Sequence, residues 1–110
     1  MVYHPEALAK WHSLTLAEQM GNVGSEFERS VRAKHNHRLD RFERAFARMM
    51  ELFDATVADP RWRGHRRREL ARVREEVREL LCQGGRPAGS IEGMSRYFLA
   101  FATEARTRRA

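Results

Sequence analysis

Arginines recur along one side of the stretch between residues 39 and 57. On an α-helix, with about 100° of rotation per residue, this stretch sorts into three faces. An apolar face, within roughly 80°, holds Leu39, Phe42, Phe46, Met49 and Phe53. A basic face, roughly 120° away, holds Arg38, Arg41, Arg44 and Arg48. An acidic face holds Asp40, Glu43, Glu51 and Asp54. Such a helix buries its apolar face and can present the basic one to a polyanion, because guanidinium groups bind phosphates bidentately.

A second basic cluster occupies residues 60–68, which contain five arginines and no acidic residue. Trp62 and His65 lie among these arginines and could stack on unpaired bases. Alternatively, Trp62 anchors the corner between two helices. Arg74 and Arg78 continue the basic character along one flank of the next helix. The candidate nucleic-acid contacts are therefore Arg38, Arg41, Arg44, Arg48, Arg61, Arg63, Arg66, Arg67, Arg68, Arg74 and Arg78.

The overall charge agrees with a polyanionic partner. The formal net charge is +6, and nineteen of the twenty-one basic residues are arginine. A coding bias towards arginine would explain that ratio but not the sorting of charge by face. Phosphate contacts give affinity without sequence reading, and the chain has neither a helix-turn-helix nor a basic-zipper pattern. RNA or single strands are therefore favoured over sequence-specific duplex DNA, with an acidic face of a partner protein as the alternative.

No constellation of side chains indicates catalysis. Glu-x-x-His, Cys-x-x-Cys, phosphate-binding glycine loops and nucleophile elbows do not occur. Glu75 and Glu76 are adjacent, so on a helix they face apart. His35 and His37 could bind a metal from a loop, although exposed turn histidines explain them more simply. We expect no enzymatic activity, no cofactor and no metal site.

The predicted cellular compartment rests on the single cysteine and on the absence of membrane-spanning and signal-peptide patterns. A single cysteine, Cys82, excludes an intrachain disulfide and fits a reducing cytoplasm. Cys82 follows an apolar stripe, so it is expected to be buried as a small hydrophobic residue. The chain has no run of about 18 apolar residues that could span a membrane and no signal-peptide pattern. We therefore predict a cytoplasmic protein without membrane contact.

Apolar residues recur at helical spacing almost throughout, and no stretch has the pattern of a strand. The sequence predicts an all-α fold, an antiparallel up-down-up-down four-helix bundle. Residues 1–13 form a lead-in, residues 14–106 the bundle, and residues 107–110 a basic tail. The predicted helices span residues 15–34, 38–58, 65–83 and 90–106.

Residues that typically begin or end helices support these boundaries. Thr15 and Glu18 have capping-box spacing, Asp59-Pro60 ends the second helix, and Gly84-Gly85-Arg86-Pro87 predicts a turn. Gly21 and Gly24 lie inside the first predicted helix, where each glycine costs about 1 kcal/mol relative to alanine. We interpret them as sites where another backbone approaches closely. Their spacing also matches the glycine loop of KH domains, but the strands of that fold are missing.

Three strings resemble those of small bacterial four-helix-bundle proteins: Leu16-Ala17-Glu18-Gln19-Met20-Gly21-Asn22-Val23-Gly24-Ser25-Glu26, Asp59-Pro60-Arg61-Trp62 and Tyr97-Phe98-Leu99-Ala100-Phe101-Ala102. In length and charge the chain is similar to the accessory variability determinant of diversity-generating retroelements, over roughly residues 11–106. The resemblance implies a basic bundle that assembles as a pentameric ring and binds a reverse transcriptase and its template RNA. It assigns a role but no individual site residue.

Two functions follow as hypotheses. The first is a non-catalytic, oligomeric scaffold that binds nucleic acid, RNA before DNA, as an accessory protein to a reverse transcriptase. The second is a protein–protein adaptor or structural oligomer in which basic and acidic helix faces pair between subunits, without nucleic acid. The apolar width of the second predicted helix favours self-association in either case.

Overall fold

The computed structural model of the chain describes residues 5–82 and 88–109, and over these residues the fold is all-α. None of the helices found there is long and apolar enough to cross a membrane. The predicted turn at Gly84-Gly85-Arg86-Pro87 lies outside the described residues. The five helices are α1 (Pro5–His12), α2 (Leu16–His35), α3 (Leu39–Val57), α4 (His65–Cys82) and α5 (Ala88–Arg109).

The four long helices lie close to their predicted ranges. Helices α2, α3 and α4 differ from their predicted ranges by no more than one residue at each end, and α5 begins two residues earlier and ends three residues later than predicted. The predicted capping box is present, with Thr15 Oγ1 accepting from the Glu18 amide at 3.1 Å and the Thr15 amide donating to Glu18 Oε1 at 2.9 Å.

Helix α1 lies within residues predicted as a lead-in, so the described chain has five helices and not four. Pro5 occupies its first position, where the missing amide hydrogen has no cost. Eight residues are too few for an isolated helix to be stable in water, so contacts with α3 must hold it. Trp11 Nε1 donates to Thr56 Oγ1 at 3.0 Å, and His12 Nε2 lies 2.9 Å from the Ala55 carbonyl oxygen.

The core forms where the apolar seams of α2, α3, α4 and α5 meet. Helix α2 is central, because it makes the most extensive contacts with both α3 and α5, while α4 packs against α3 and α5. The buried apolar residues that form the core come from all four long helices: Met20, Val23, Phe27, Met49, Leu52, Phe53, Leu70, Val73, Val77, Leu80, Leu81 and Phe98.

Two apolar expectations are wrong. Leu39, placed on the apolar face of α3, is 67% exposed, because it is the first residue of that helix. Cys82 is exposed and not buried. Leu81 takes the buried position at the end of α4, and the next helical position points about 100° away.

Both glycines of α2 face α5, and the sequence interpretation of a close backbone approach holds only in part, because the atom nearest to Gly24 belongs to the Phe98 side chain. A Cβ atom on Gly24 would lie 2.6 Å from Cβ of Phe98. A Cβ on Gly21 would lie 3.5 Å from Cα of Ala102, which is ordinary van der Waals contact. Only Gly24 therefore needs the absence of a side chain for α5 to pack as it does.

A tight turn joins α2 to α3. His37 has φ of 57°, in the left-handed region. The Arg38 amide donates to the Ala33 carbonyl at 2.8 Å and the His37 amide to the Lys34 carbonyl at 3.2 Å, as in a Schellman motif. The short turn places the beginning of α3 beside the end of α2, which brings the arginines of the two helices together.

Candidate nucleic-acid interface

An open groove of about 590 Å³ lies between α2 and α3. We call it the arginine groove. Its walls carry six arginines, four of which are the predicted stripe of α3. The other two come from α2. The arginines are Arg29, Arg32, Arg38, Arg41, Arg44 and Arg48.

Helical spacing explains how the two walls form. Arg29 and Arg32 are three residues apart on α2, and Asn36, the residue that caps its C-terminus, follows four residues later, so all three share one side of that helix. Ala33 and Ala45 also line the groove, on α2 and α3 respectively. Their small side chains let the two helices lie close together while the longer arginines rise on both sides.

Positive charge in the groove is only partly compensated. Arg29 Nη1 lies 2.8 Å from Glu26 Oε2, and Arg44 Nη2 lies 3.7 Å from Asp40 Oδ2. The second pair is highly exposed, so it contributes little to stability. The remaining four arginines form no ion pair with any carboxylate of the described chain: Arg32, Arg38, Arg41 and Arg48.

The arginines of the α2 wall, Arg29 and Arg32, are not among the predicted contacts. In the sequence, Arg29 and Arg32 have the same three-residue spacing as Arg38 and Arg41. This spacing indicates a shared basic site only when α2 and α3 are known to pack with these two sides adjacent. The structure thus extends the predicted stripe into a two-walled groove.

The predicted cluster at residues 61–68 does not line the arginine groove. Its first member, Arg61, is bound to a buried carboxylate. Asp59 is fully buried, and its Oδ2 accepts from Arg61 Nη2 at 2.7 Å. Arg61 also donates through its backbone amide to Asp59 Oδ1 at 3.0 Å and through Nη2 to the Leu14 carbonyl at 2.6 Å. These contacts give Arg61 a structural role at the α3–α4 corner.

Asp59 keeps its charge despite burial. Burial alone would raise the pKa of this carboxyl, but hydrogen bonds from the side chain and backbone of Arg61 and from Gln19, with the positive charge of Arg61, lower the pKa to about 2. The same Arg61–Asp59 hydrogen bond raises the pKa of the guanidinium. The pair is ionised throughout the physiological range.

Trp62 is held in place by the same network. Its Nε1 donates to Gln19 Oε1 at 2.8 Å, and the Arg61 guanidinium lies over its ring, 4.5 Å from the centroid. The ring is half-buried against the core. This arrangement supports the packing interpretation of Trp62, because one face of the indole is already covered by Arg61.

The other arginines of the 61–68 cluster are dispersed. Arg67 donates to the Asp59 carbonyl at 2.9 Å, and its buried Nε has no partner within the described chain. Arg66 pairs with Glu69 at 3.0 Å. Arg68 lies 2.9 Å from His65 Nδ1, and Arg63 is exposed.

The two predicted contacts beyond this cluster, Arg74 and Arg78 of α4, form ion pairs with acidic residues. Arg74 Nε binds Asp54 Oδ1 of α3 at 2.8 Å, and its Nη1 binds Glu75 Oε2 at 2.6 Å. Arg78 Nε binds Glu75 Oε1 at 3.0 Å. Hydrogen bonds from Arg78 and Arg74 lower the pKa of Glu75. The acidic face of α3 is therefore partly directed towards α4, while its basic face is directed towards α2.

The predicted turn histidines are both exposed and lie beside the α2–α3 turn. The described residues contain no group of three or more histidine, cysteine, aspartate or glutamate side chains that could hold a metal ion. What the interface offers chemically is a concentration of guanidinium donors, suited to phosphate oxygens.

Comparison with known proteins adds no assignment, since no family model, curated protein or solved structure matches the chain.

Proposed function

We propose that this protein is a non-catalytic basic scaffold that binds nucleic acid, RNA in preference to DNA, through the arginine groove. The observation that carries the proposal is the convergence of six arginines from two helices, four of them without an acidic partner in the described chain. Against two carboxylates, Glu26 and Asp40, six guanidinium groups leave a formal local charge of +4. Such a concentration of positive charge attracts a polyanion and displaces its counterions.

The preference for RNA rests on the shape of the site. Sequence-specific duplex readers place a protruding helix or ribbon in the major groove. Here the arginines line a depression between two packed helices, so no recognition helix projects from it. RNA offers unpaired loops, bulges and ends that a groove can take.

A role as accessory protein to the reverse transcriptase of a diversity-generating retroelement is the biological part of the proposal, and it rests on the resemblance. With it we propose a cytoplasmic homo-oligomer, a pentamer by that resemblance, built from an antiparallel up-down-up-down arrangement of the four long helices. The tight turn at residues 36–38 supports this topology for α2 and α3. The accessory role predicts a reverse transcriptase encoded beside this protein and a complex of the two during size-exclusion chromatography.

Fluorescence anisotropy tests the binding function. Nuclease-treated protein is titrated into labelled structured RNA, single-stranded DNA and duplex DNA at low and near-physiological salt. We expect salt-sensitive binding with RNA tightest. The triple variant R41Q/R44Q/R48Q should weaken binding to every sequence and reduce the salt slope by about 2, at roughly 0.7 per lost single-strand phosphate contact.

A matched control separates the groove from net charge. The variant R72Q/R96Q/R108Q removes three exposed arginines that do not line the arginine groove, so its net charge equals that of the test variant. It should retain most of the affinity. Equal losses in the two variants, or no binding by the native protein at low salt, would contradict the proposed function.

The adaptor function remains as a second proposal because α3 exposes acidic side chains, Asp40 and Glu43, as well as the basic ones of the groove, so its faces can pair between subunits. The exposed side chains of Leu39 (67%) and Leu99 (57%) add apolar area that an oligomer can bury. Light scattering across a salt series distinguishes the two functions. If the arginines form ion pairs between subunits, high salt dissociates the oligomer. If the arginines bind nucleic acid, high salt releases the nucleic acid while an oligomer held by apolar contacts persists.

A further inference from the structure

We infer that the arginine groove binds the sugar–phosphate backbone of one single strand, gripped from both sides, with the bases directed away from the protein. This inference rests on the proposed function and specifies the form of ligand that the groove takes. Two observations carry it, the two-walled arrangement of the arginines and a lining without aromatic side chains from the described part of the chain. The axial spacing that packed helices generally have adds to them.

The two walls act on one chain of phosphates. Arg29 and Arg32 approach from α2, and Arg41 and Arg48 approach from α3. From Arg38 to Arg48 the α3 wall extends for about 15 Å, at 1.5 Å per residue. Guanidinium forks from opposite sides can each bind phosphate oxygens of the same strand, because a phosphodiester presents two free oxygens.

The groove offers no platform for bases. Base recognition on single strands uses aromatic side chains on which successive bases stack, and among residues 5–82 and 88–109 no aromatic side chain lines the arginine groove. Two aromatic residues of α3, Phe42 and Phe46, lie outside the groove. Their rings stack with centroids 5.7 Å apart and pack against the core. The Trp62 ring already donates a hydrogen bond to Gln19 and has one face covered by the Arg61 guanidinium.

The dimensions favour one strand over two. Packed helices have axes about 8–10 Å apart, and Ala33 and Ala45 line the gap between α2 and α3. A single backbone can lie in that depression with arginines on both sides. A duplex is too wide to enter, so it would reach only the exposed rims and leave one wall unused.

An abasic oligonucleotide tests the inference directly. Anisotropy is measured at low salt with three labelled DNA probes of equal phosphate number: a mixed-sequence single strand, a single strand whose residues all lack bases, and a duplex. We expect the abasic strand to bind less than about fivefold more weakly than the normal strand, since loss of even one stacked base costs more than that. The duplex should bind more weakly than either single strand.

Variants test the two walls separately. R29Q/R32Q removes the α2 wall and R41Q/R48Q part of the α3 wall, and each should flatten the salt slope for the abasic strand by about 1.4, from two contacts. The control R72Q/R108Q changes net charge equally with side chains outside the groove. Circular dichroism confirms that each variant is folded.

The outcomes separate this inference from the proposed function. If the native protein binds neither these DNA probes nor labelled structured RNA at low salt, the proposed function fails and the inference fails with it. If it binds the RNA but no DNA single strand, backbone contacts alone do not suffice and only the inference is overturned. If it binds the normal strand but loses fivefold or more on the abasic strand, bases are contacted and only the inference is overturned. The inference alone is also overturned if R29Q/R32Q leaves binding unchanged or if the duplex binds as tightly as the single strand.

Discussion

Gln19 Nε2 donates a hydrogen bond to Asp59 Oδ2 at 3.0 Å, although the residues are 40 positions apart. Both side chains are fully buried. The same Gln19 amide nitrogen contacts the Trp11 carbonyl at 2.9 Å, and its oxygen accepts from Trp62. One polar side chain of α2 therefore joins α1 to the α3–α4 corner. This network fixes the corner that precedes α4.

Acid should weaken the protein through Asp59. Its pKa is lowered from 3.8 to about 2 in the folded state, so the native protein binds this proton less readily than the unfolded chain. Stability from this group is present above about pH 4 and is lost as the pH falls through about 2. It amounts to about 2 kcal/mol at neutral pH. Urea unfolding across this range measures the loss.

The variant Asp59→Asn provides the control for that prediction. It should lower the free energy of unfolding at neutral pH by about 2 kcal/mol, because the charge-assisted hydrogen bonds from the partly exposed Arg61 are lost. Its stability should also fall less steeply between about pH 4 and pH 2 than that of the native protein. An unchanged acid dependence in Asp59→Asn would assign the effect to other carboxylates.

Gly24→Ala should destabilise the protein, whereas Gly21→Ala should not. The new Cβ at residue 24 would lie 2.6 Å from Phe98 Cβ, so α5 must shift. Overpacking of this kind costs about 1–3 kcal/mol. At Gly21 the nearest atom, Ala102 Cα, is 3.5 Å away, and the gain in helix propensity of up to about 1 kcal/mol is available. Thermal and urea unfolding measure the change in stability of each variant. Equal changes in the two variants would refute the close-approach explanation.

Trp62→Phe should reduce stability without reducing nucleic-acid affinity. The change removes the donor to Gln19 Oε1 and leaves a buried acceptor unpaired, at a cost of about 1–3 kcal/mol. Phenylalanine keeps an aromatic face, so Trp62→Leu is the companion variant for binding. If Trp62 stacks on bases, Trp62→Leu weakens binding of single-stranded RNA by at least about fivefold. Anisotropy on both folded variants measures this, and we expect affinities close to that of the native protein.

Local patterns predicted most of the helical structure. The capping box at Thr15 and the apolar seams depend on residues a few positions apart, so the sequence displays them directly. Helix α1 has too few residues for a periodic pattern and is held by Trp11 and Thr56, 45 positions apart. No local signal carries that contact.

The candidate site was predictable only in part, for a similar reason. The arginine stripe of α3 is a property of one helix, whereas the α2 wall with Arg29 and Arg32 requires knowledge of how α2 and α3 pack. In the other direction, Arg61 was predicted as a nucleic-acid contact because the sequence does not reveal that Asp59 is buried. The strings that support the resemblance contain Gln19, Asp59 and Phe98, which organise the fold, while the arginines of the groove lie outside them.

The arginines of α4 should contribute much less to binding than those of the groove. Arg74 and Arg78 are paired with Asp54 and Glu75, so a phosphate must compete with carboxylates already in place. We expect R74Q/R78Q to weaken single-stranded RNA binding by less than about threefold. R41Q/R48Q should weaken it by about tenfold or more, since the loss of even one charge-assisted hydrogen bond costs about 1.5 kcal/mol, which is about tenfold in affinity.

Both double variants reduce the net charge by two, which makes them controls for each other. Anisotropy at one low salt concentration gives the two affinities. R74Q/R78Q should instead show its effect in urea unfolding, as a loss of up to about 1 kcal/mol from the partly exposed pair that joins α3 to α4. Equal losses of RNA affinity would mean that the protein responds to RNA through its total charge, and the arginine groove would then have no special place in binding.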